Sequence, residues 1–192
     1  EADRTPEGGY PLRRNAARAL GKLADLQAVP ALIDCLDCED FYVREAAAQS
    51  LEMLGEPSCI PQLTQILVTV VQDGKLIPQG QDFAQPYDAI LEALGTLGAT
   101  AAVPLIQPFL EHPIPRVEYA AARSMYQLTQ DAAYGDRLVR SLTNSNLQVR
   151  RALLSDLGAI GYLPAAVPIS QAHAENSLKL IALKGLLETQ IT

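Results

Sequence analysis

Cys35 and Cys38 stand in a CxxC spacing, the arrangement that most often serves a zinc ion or a dithiol redox step. Neither chemistry can be completed. Cys59, His112 and His173 do not supply a second ligand pair at zinc-site spacing, and a thioredoxin-like step would need a βαβ context that the chain lacks. No metal site is therefore expected; Cys35 reads as packing inside a helix and Cys38 as capping its exit. His112, between Glu111 and Pro113, is a proton carrier by type but stands alone in a turn. There is no glycine-rich phosphate loop, GxSxG elbow or Ser/His/Asp order.

Arginines, carboxylates and phenols recurring at fixed positions offer a different chemistry. One row holds Arg14, Glu45, Asp88, Tyr119 and Arg151; the row one residue earlier holds Arg13, Arg44, Tyr87, Glu118 and Arg150. Arginine pairs bidentately with carboxylates, and Asp or Glu accepts from N–H groups. Side by side, the two rows form a polar strip for an elongated ligand carrying both carboxylates and N–H donors. The same rows also describe a ladder of structural salt bridges between repeats. Tyr10, Tyr42, Tyr87 and Tyr119 fall at or near the starts of helices, where a phenol ring can cover a flat conjugated ligand or pack an edge. Tyr126, Tyr134 and Tyr162 read as packing residues.

These rows exist because the chain repeats. Leu20, Leu51, Leu94, Met125 and Leu157 are equivalent anchors, 31, 43, 31 and 32 residues apart, each followed three residues later by Leu23, Leu54, Leu97, Leu128 or Ile160. Ten residues past the anchors stand Pro30, Pro61, Pro104, Gly135 and Val167-Pro168, and a proline there marks the first turn of a second helix. Each unit is thus two short helices. The first buries small residues at helical spacing, as Val43, Ala47, Ser50 and Leu51 do in the second unit. One hairpin cannot bury its own apolar face, so the units must stack. The fold expected is all-α: a right-handed α-solenoid of about five HEAT-like hairpins plus a partial unit at 177–188, forming one domain over 1–192 and containing no strand. The long interval reflects an insertion at about 72–85 (QDGKLIPQGQDFAQ), a length that suits either a binding loop or a variable insertion.

Composition narrows the function classes. The 192 residues are 48% hydrophobic, and 22 acidic against 15 basic residues leave a net charge of −7, without the Lys/Arg cluster that a phosphate backbone requires. Nucleic acid is not an expected partner. The most apolar run, about Ile66 to Val71, falls far short of the ~20 residues of a membrane span, and the first residues have no signal-peptide pattern. Three cysteines suit a reducing compartment. The chain begins at Glu1 without methionine, so it reads as a piece of a longer protein.

The segments RTPEGGYPLRRNAARALGKL (4–23), CEDFYVREAAAQSLEMLG (38–55), AQPYDAILEALGTLGA (84–99), VEYAAARSMYQLT (117–129) and AENSLKLIALKGL (174–186) resemble the E-type subunits of heterodimeric phycocyanobilin lyases, HEAT-like phycobilisome lyase repeat proteins. The likeness spans the whole chain, although the family's proteins are longer at both ends. It implies a cyanobacterial cytoplasmic enzyme that, with an F-type partner subunit, attaches phycocyanobilin through a thioether to a cysteine of the phycocyanin α subunit, and that can also detach or transfer it. The bilin is then substrate, with no further cofactor, and the nucleophile belongs to the acceptor. On that basis Arg13, Arg14 and Arg44 are assigned to the propionates. Glu45 or Asp88, the candidate catalytic carboxylates, is assigned to the pyrrole nitrogens, and Tyr42, Tyr87 and Tyr119 to the rings. A carboxylic acid that keeps the bilin protonated would make its ethylidene carbon more electrophilic. A lyase-isomerase subunit serving phycoerythrocyanin and a noncatalytic HEAT-like scaffold or adaptor of the phycobilisome remain alternatives.

Overall fold

The computed structural model describes residues 6–77 and 84–191. They build an α-solenoid. Its first helices are α1 (Pro6–Leu23), α3 (Phe41–Leu54), α5 (Tyr87–Thr96), α7 (Pro115–Thr129), α9 (Leu147–Ile160) and α11 (Asn176–Glu188), which lie side by side in chain order. The second helices are α2 (Val29–Cys35), α4 (Ile60–Val68), α6 (Val103–Ile106), α8 (Ala132–Ser141) and α10 (Ala166–Gln171).

The hairpins turn where the repeat reading places them. Each of the first five long helices is closed by a left-handed residue: Ala24, Gly55, Gly98, Gln130 and Gly161 have φ between 55° and 72°, and in the first four its N–H donates to a carbonyl of the last turn (Gly21, Leu51, Gly95 and Tyr126) as the chain reverses. A 3-10 turn follows in four of the five units, and Pro30, Pro61 and Pro104 then sit in the first turn of α2, α4 and α6. Side chains of Asp25, Asp40, Glu56, Asp131 and Asn146 cap the starts of the segments they precede. The fourth unit departs from the register. Gly135 lies inside α8, because a Cβ there would come within 2.8 Å of the Tyr162 ring; the glycine makes room for an aromatic neighbour rather than starting a helix.

The expectation of no strand is corrected by a small hairpin, β1 (Val71–Gln72) against β2 (Lys75–Leu76), at the beginning of the insertion. Its turn is Asp73-Gly74, both at positive φ (50° and 71°), the Asp-Gly combination that favours a tight two-residue reversal. The rest of the insertion, 78–83, lies outside the described residues.

One register decides how tightly the first helices pack. The residue after the anchor is Gly21, Glu52, Gly95, Tyr126 and Gly158 in successive units. A Cβ on Gly21 would stand 2.7 Å from Ser50 Oγ, one on Gly95 2.8 Å from Ser124 Cα, and one on Gly158 2.9 Å from Ala182 Cα. At the first two of these joints the serine hydroxyl donates to the neighbouring helix: Ser50 to Ala17 O at 2.9 Å, Ser124 to Leu91 O at 2.5 Å. Helices α1 and α3, α5 and α7, and α9 and α11 therefore approach closely, whereas α3/α5 and α7/α9, whose register carries Glu52 and Tyr126, stand further apart. The solenoid is a stack of tight pairs with looser joints between them.

Candidate functional site

Charged side chains bridge the looser joints. Glu45 and Glu52 are seven residues apart on α3, Asp88 and Glu92 four apart on α5, and Arg116 and Arg123 seven apart on α7, spacings that keep each pair on one helical face. Arg116 donates to Glu45 Oε1 at 3.1 Å and pairs with Asp88. Arg123 reaches three helices at once: Nη2 donates to Glu52 Oε1 at 2.9 Å, and Nη1 lies 3.3 Å from Asp156 Oδ1 of α9 and 3.5 Å from Glu92 Oε2. The Thr96 hydroxyl steadies Glu52 by donating at 2.8 Å.

Beside this ladder a cleft of about 470 Å³ opens between α7 and α9, the loose joint, lined by Glu92, Arg116, Tyr119, Arg123, Gln148 and Asp156 among others. Counting the ladder, five carboxylates face two guanidiniums, so the surface is anionic despite its arginines. The excess charge sits where water is scarce. Burial raises the Glu92 carboxyl from its ordinary 4.5 to about 7, with Asp156, Glu52 and Asp88 adding repulsion and Arg123 opposing it. Burial likewise raises Asp156 from 3.8 to about 6, against the pull of Arg123. Near neutral pH the cleft can therefore hold a proton on a carboxyl group, and its walls can accept N–H donors.

The two sequence rows do not make one strip. Neighbouring helix positions point about 100° apart, and the structure separates them. Glu45, Asp88 and Tyr119 border the ladder and cleft, and Arg151 pairs with Glu175 further along the same row of helices. The Arg14 guanidinium lies over the Tyr42 ring, 5.9 Å from its centroid, with Tyr42 exposed one turn before Glu45. The other row turns inward. Arg44 is 2% exposed and its fork donates to Cys38 O (2.5 Å), Glu39 O (2.8 Å), Ala84 O (2.7 Å) and Gln85 Oε1 (3.2 Å). Its assignment to a propionate is corrected: the guanidinium staples the turn before α3 to the segment before α5. Arg150 repeats the device three units later, donating to Asn144 O, Ser145 O and His173 O. Tyr87 is corrected similarly. It is buried against Phe109 and His112, with centroids 5.2 and 6.2 Å away, so its ring is part of the core. Arg13 is exposed and lies over the Tyr10 ring. Glu118 pairs with Arg137 at 2.9 Å.

Sequence reasoning missed Glu52, Glu92, Arg116, Arg123 and Asp156. Asp156 carried a readable signal: it occupies the register that holds Ala19, Ser50, Ala93 and Ser124 in the other units, so a charge there breaks a run of small residues. The i, i+7 pairs Glu45/Glu52 and Arg116/Arg123 carried another. Cys35, read as packing inside a helix, is the last residue of α2, and Cys38, read as capping its exit, sits in the turn beyond, its N–H donating to Cys35 O at 3.2 Å. The described residues contain no group of three or more His, Cys, Asp or Glu able to hold a metal ion, and none of their helices is long and apolar enough to cross a membrane.

Comparison with known proteins meets this geometry. The HEAT-repeat family model matches residues 9–73 and 84–158. The phycocyanobilin lyase subunit alpha of Nostoc sp. (strain PCC 7120) is 62% identical over 192 residues, covering all of this chain and 70% of the relative. That of Microchaete diplosiphon is 64% identical over 195 residues, covering 99% and 66%. The bilin biosynthesis protein PecE of the same Nostoc strain is 45% identical over 192 residues, covering 100% and 71%. Among solved structures, a chain of the complex of CpcE and CpcF of phycocyanin lyase from Nostoc sp. PCC7120 is similar with a TM-score of 0.88 and 63% identity, covering 99% of this chain and 71% of that one. With the stacked hairpins and all three comparisons in agreement, this chain belongs to the phycocyanobilin lyase alpha-subunit family of HEAT-repeat proteins.

Proposed function

We propose that this chain is the alpha subunit of a heterodimeric lyase that joins phycocyanobilin, through a thioether, to a cysteine of the phycocyanin α subunit, and that it works with an F-type partner in the cyanobacterial cytoplasm. The observation that carries the reading, beyond family membership, is the carboxylate-rich cleft edged by guanidiniums at the α7/α9 joint. An open-chain tetrapyrrole presents N–H groups along its conjugated body and two propionates at its edge. The first need acceptors and the second need arginines. In the cleft Glu92 and Asp156 supply acceptors and Arg116 a cationic edge, while Tyr119, 9% exposed, offers only the edge of its ring; Glu45 and Asp88 belong to the adjoining ladder, and Arg14 over Tyr42 to the α1/α3 pair.

The pigment is substrate here and the attacking thiol comes from the acceptor protein, so the subunit's task is to hold, orient and polarise. Attachment adds S–H across the ethylidene double bond. Sulfur bonds to the outer carbon, the displaced electron pair moves toward the ring, a proton arrives there, and nothing leaves. Higher identity to the lyase alpha subunits than to PecE favours simple attachment over a lyase-isomerase role. Incubating phycocyanobilin and the phycocyanin α subunit with this chain, with its partner, and with both tests the proposal. The expected result is a zinc-fluorescent acceptor band under denaturing conditions only with both subunits; a band no stronger than the spontaneous one would overturn it.

A further inference from the structure

We propose that Glu92, backed by Asp156, is the acid of the cleft: it hydrogen-bonds the pyrrole nitrogens of the seated bilin and transfers to them the proton that holds the pigment cationic. The proposal rests on the bilin reading above and deepens it by naming the group that polarises the substrate.

The geometry selects Glu92 by elimination among the carboxylates that meet arginine. Glu45 and Asp88 are tied to Arg116. Glu52 holds the best contact with Arg123, at 2.9 Å, and is further fixed by Thr96. That leaves Asp156 and Glu92 sharing one Arg123 nitrogen at 3.3 and 3.5 Å. One guanidinium cannot neutralise three carboxylates, and like charges this close do not all ionise. Of the two that share, Asp156 is the more enclosed, with a side chain 12% exposed, whereas that of Glu92 is 24% exposed and helps to line the cleft. Both line the cleft, and Glu92 is the weakest-held of the three and the more exposed to a ligand.

The groups facing Glu92 come from every helix around it: Glu52 on α3, Asp88 on its own α5, Arg123 on α7 and Asp156 on α9, with Arg116 and Tyr119 of α7 on the cleft wall. Among the described residues, three acids surround Glu92 and Arg123 alone pairs with it as a cation, which agrees with its elevated affinity for a proton. The transfer is balanced. The carboxyl O–H proton moves to the imine-type nitrogen of the conjugated chain, and the carboxylate left behind accepts the new N–H. Because the proton only moves from carboxyl to pigment, the net charge of the site is unchanged, and the new cation faces the carboxylate it leaves behind.

The test uses the complex of this chain with its partner subunit and phycocyanobilin as probe, comparing wild type, Glu92→Gln and Glu92→Asp. Protonation of the conjugated chain shifts the visible absorption, so the spectrum recorded against pH reports the pigment's own titration. In Glu92→Gln the midpoint of that titration falls by about one pH unit or more, pigment transfer to the acceptor above neutrality falls about tenfold or more, and Glu92→Asp restores part of both. A Glu92→Gln complex that binds pigment with an unmoved midpoint overturns the assignment of the acid. A wild-type complex that binds no pigment overturns the bilin reading itself, and this proposal with it. A purely structural role for Glu92 would change binding or melting without moving the pigment's midpoint.

Discussion

Replacing Arg123 with methionine keeps most of the aliphatic stem and removes the charge that three helices share. The side chain is only 12% exposed and meets Glu52, Asp156 and Glu92 within 3.5 Å. Removing one partner of a buried ion pair costs about 3–5 kcal/mol because the other charge is left uncompensated, and here three carboxylates lose their only shared cation. For a chain of this size each kcal/mol moves the melting temperature by about 2–4 °C, so the expected drop is about 6–20 °C in mildly alkaline buffer. The loss must depend on pH. Glu92 and Asp156 titrate at about 7 and about 6 with Arg123 present, and without it both take protons more readily. In acidic buffer they are neutral, and most of the penalty disappears. Melting followed by far-ultraviolet circular dichroism, in buffers on either side of these values, measures both effects. A drop worth less than ~1 kcal/mol, the range of an exposed surface pair, or an equal drop in acidic and alkaline buffer, would show that these carboxylates are not coupled through Arg123.

Three further outcomes follow from the same structure. Glu92 binds its proton more tightly in the fold than in the unfolded chain, 4.5 rising to about 7; its contribution is fully present below 4.5 and lost as pH passes 7, a swing of about 3 kcal/mol. Glu92→Gln should therefore melt above wild type in alkaline buffer and alongside it in acid, and a pH-independent difference counts against the linkage. Arg44→Ala strands one pair of acceptors in the turn before α3 and another at the end of the insertion and should cost about 3–5 kcal/mol in urea unfolding, with Arg44→Lys recovering little because an ammonium cannot span the fork. Gly95→Ala would set a Cβ 2.8 Å from Ser124 Cα and should destabilise by about 1–3 kcal/mol through overpacking; a neutral result would show that α5 and α7 can separate freely.

Much of the architecture was legible because its causes are local and periodic. Anchors about 31 residues apart, prolines opening second helices and glycines closing first ones each act within a few residues, and their recurrence alone specifies a stack. The Asp73-Gly74 hairpin was missed, because its two-residue strands are too short to show alternation. The site was only half legible. Repeat registers brought Glu45, Asp88 and Tyr119 onto one surface, yet they also placed Arg44 and Tyr87 beside them, when a one-residue offset turns those side chains toward the core.

From the sequence by itself came the repeat, its two-helix unit, the negative balance and the family likeness, all properties of short-range pattern. Tertiary structure alone decided that Arg123 would serve three other helices and that Asp156, in a register of small residues, would meet it. It also decided that the α7/α9 joint would stay open, because close approach depends on which unit carries glycine after the anchor and what stands opposite it. A carboxylate acquires an unusual proton affinity from the charges and the loss of water around it, and those neighbours are set by how whole repeats are stacked rather than by the residues beside it in the chain.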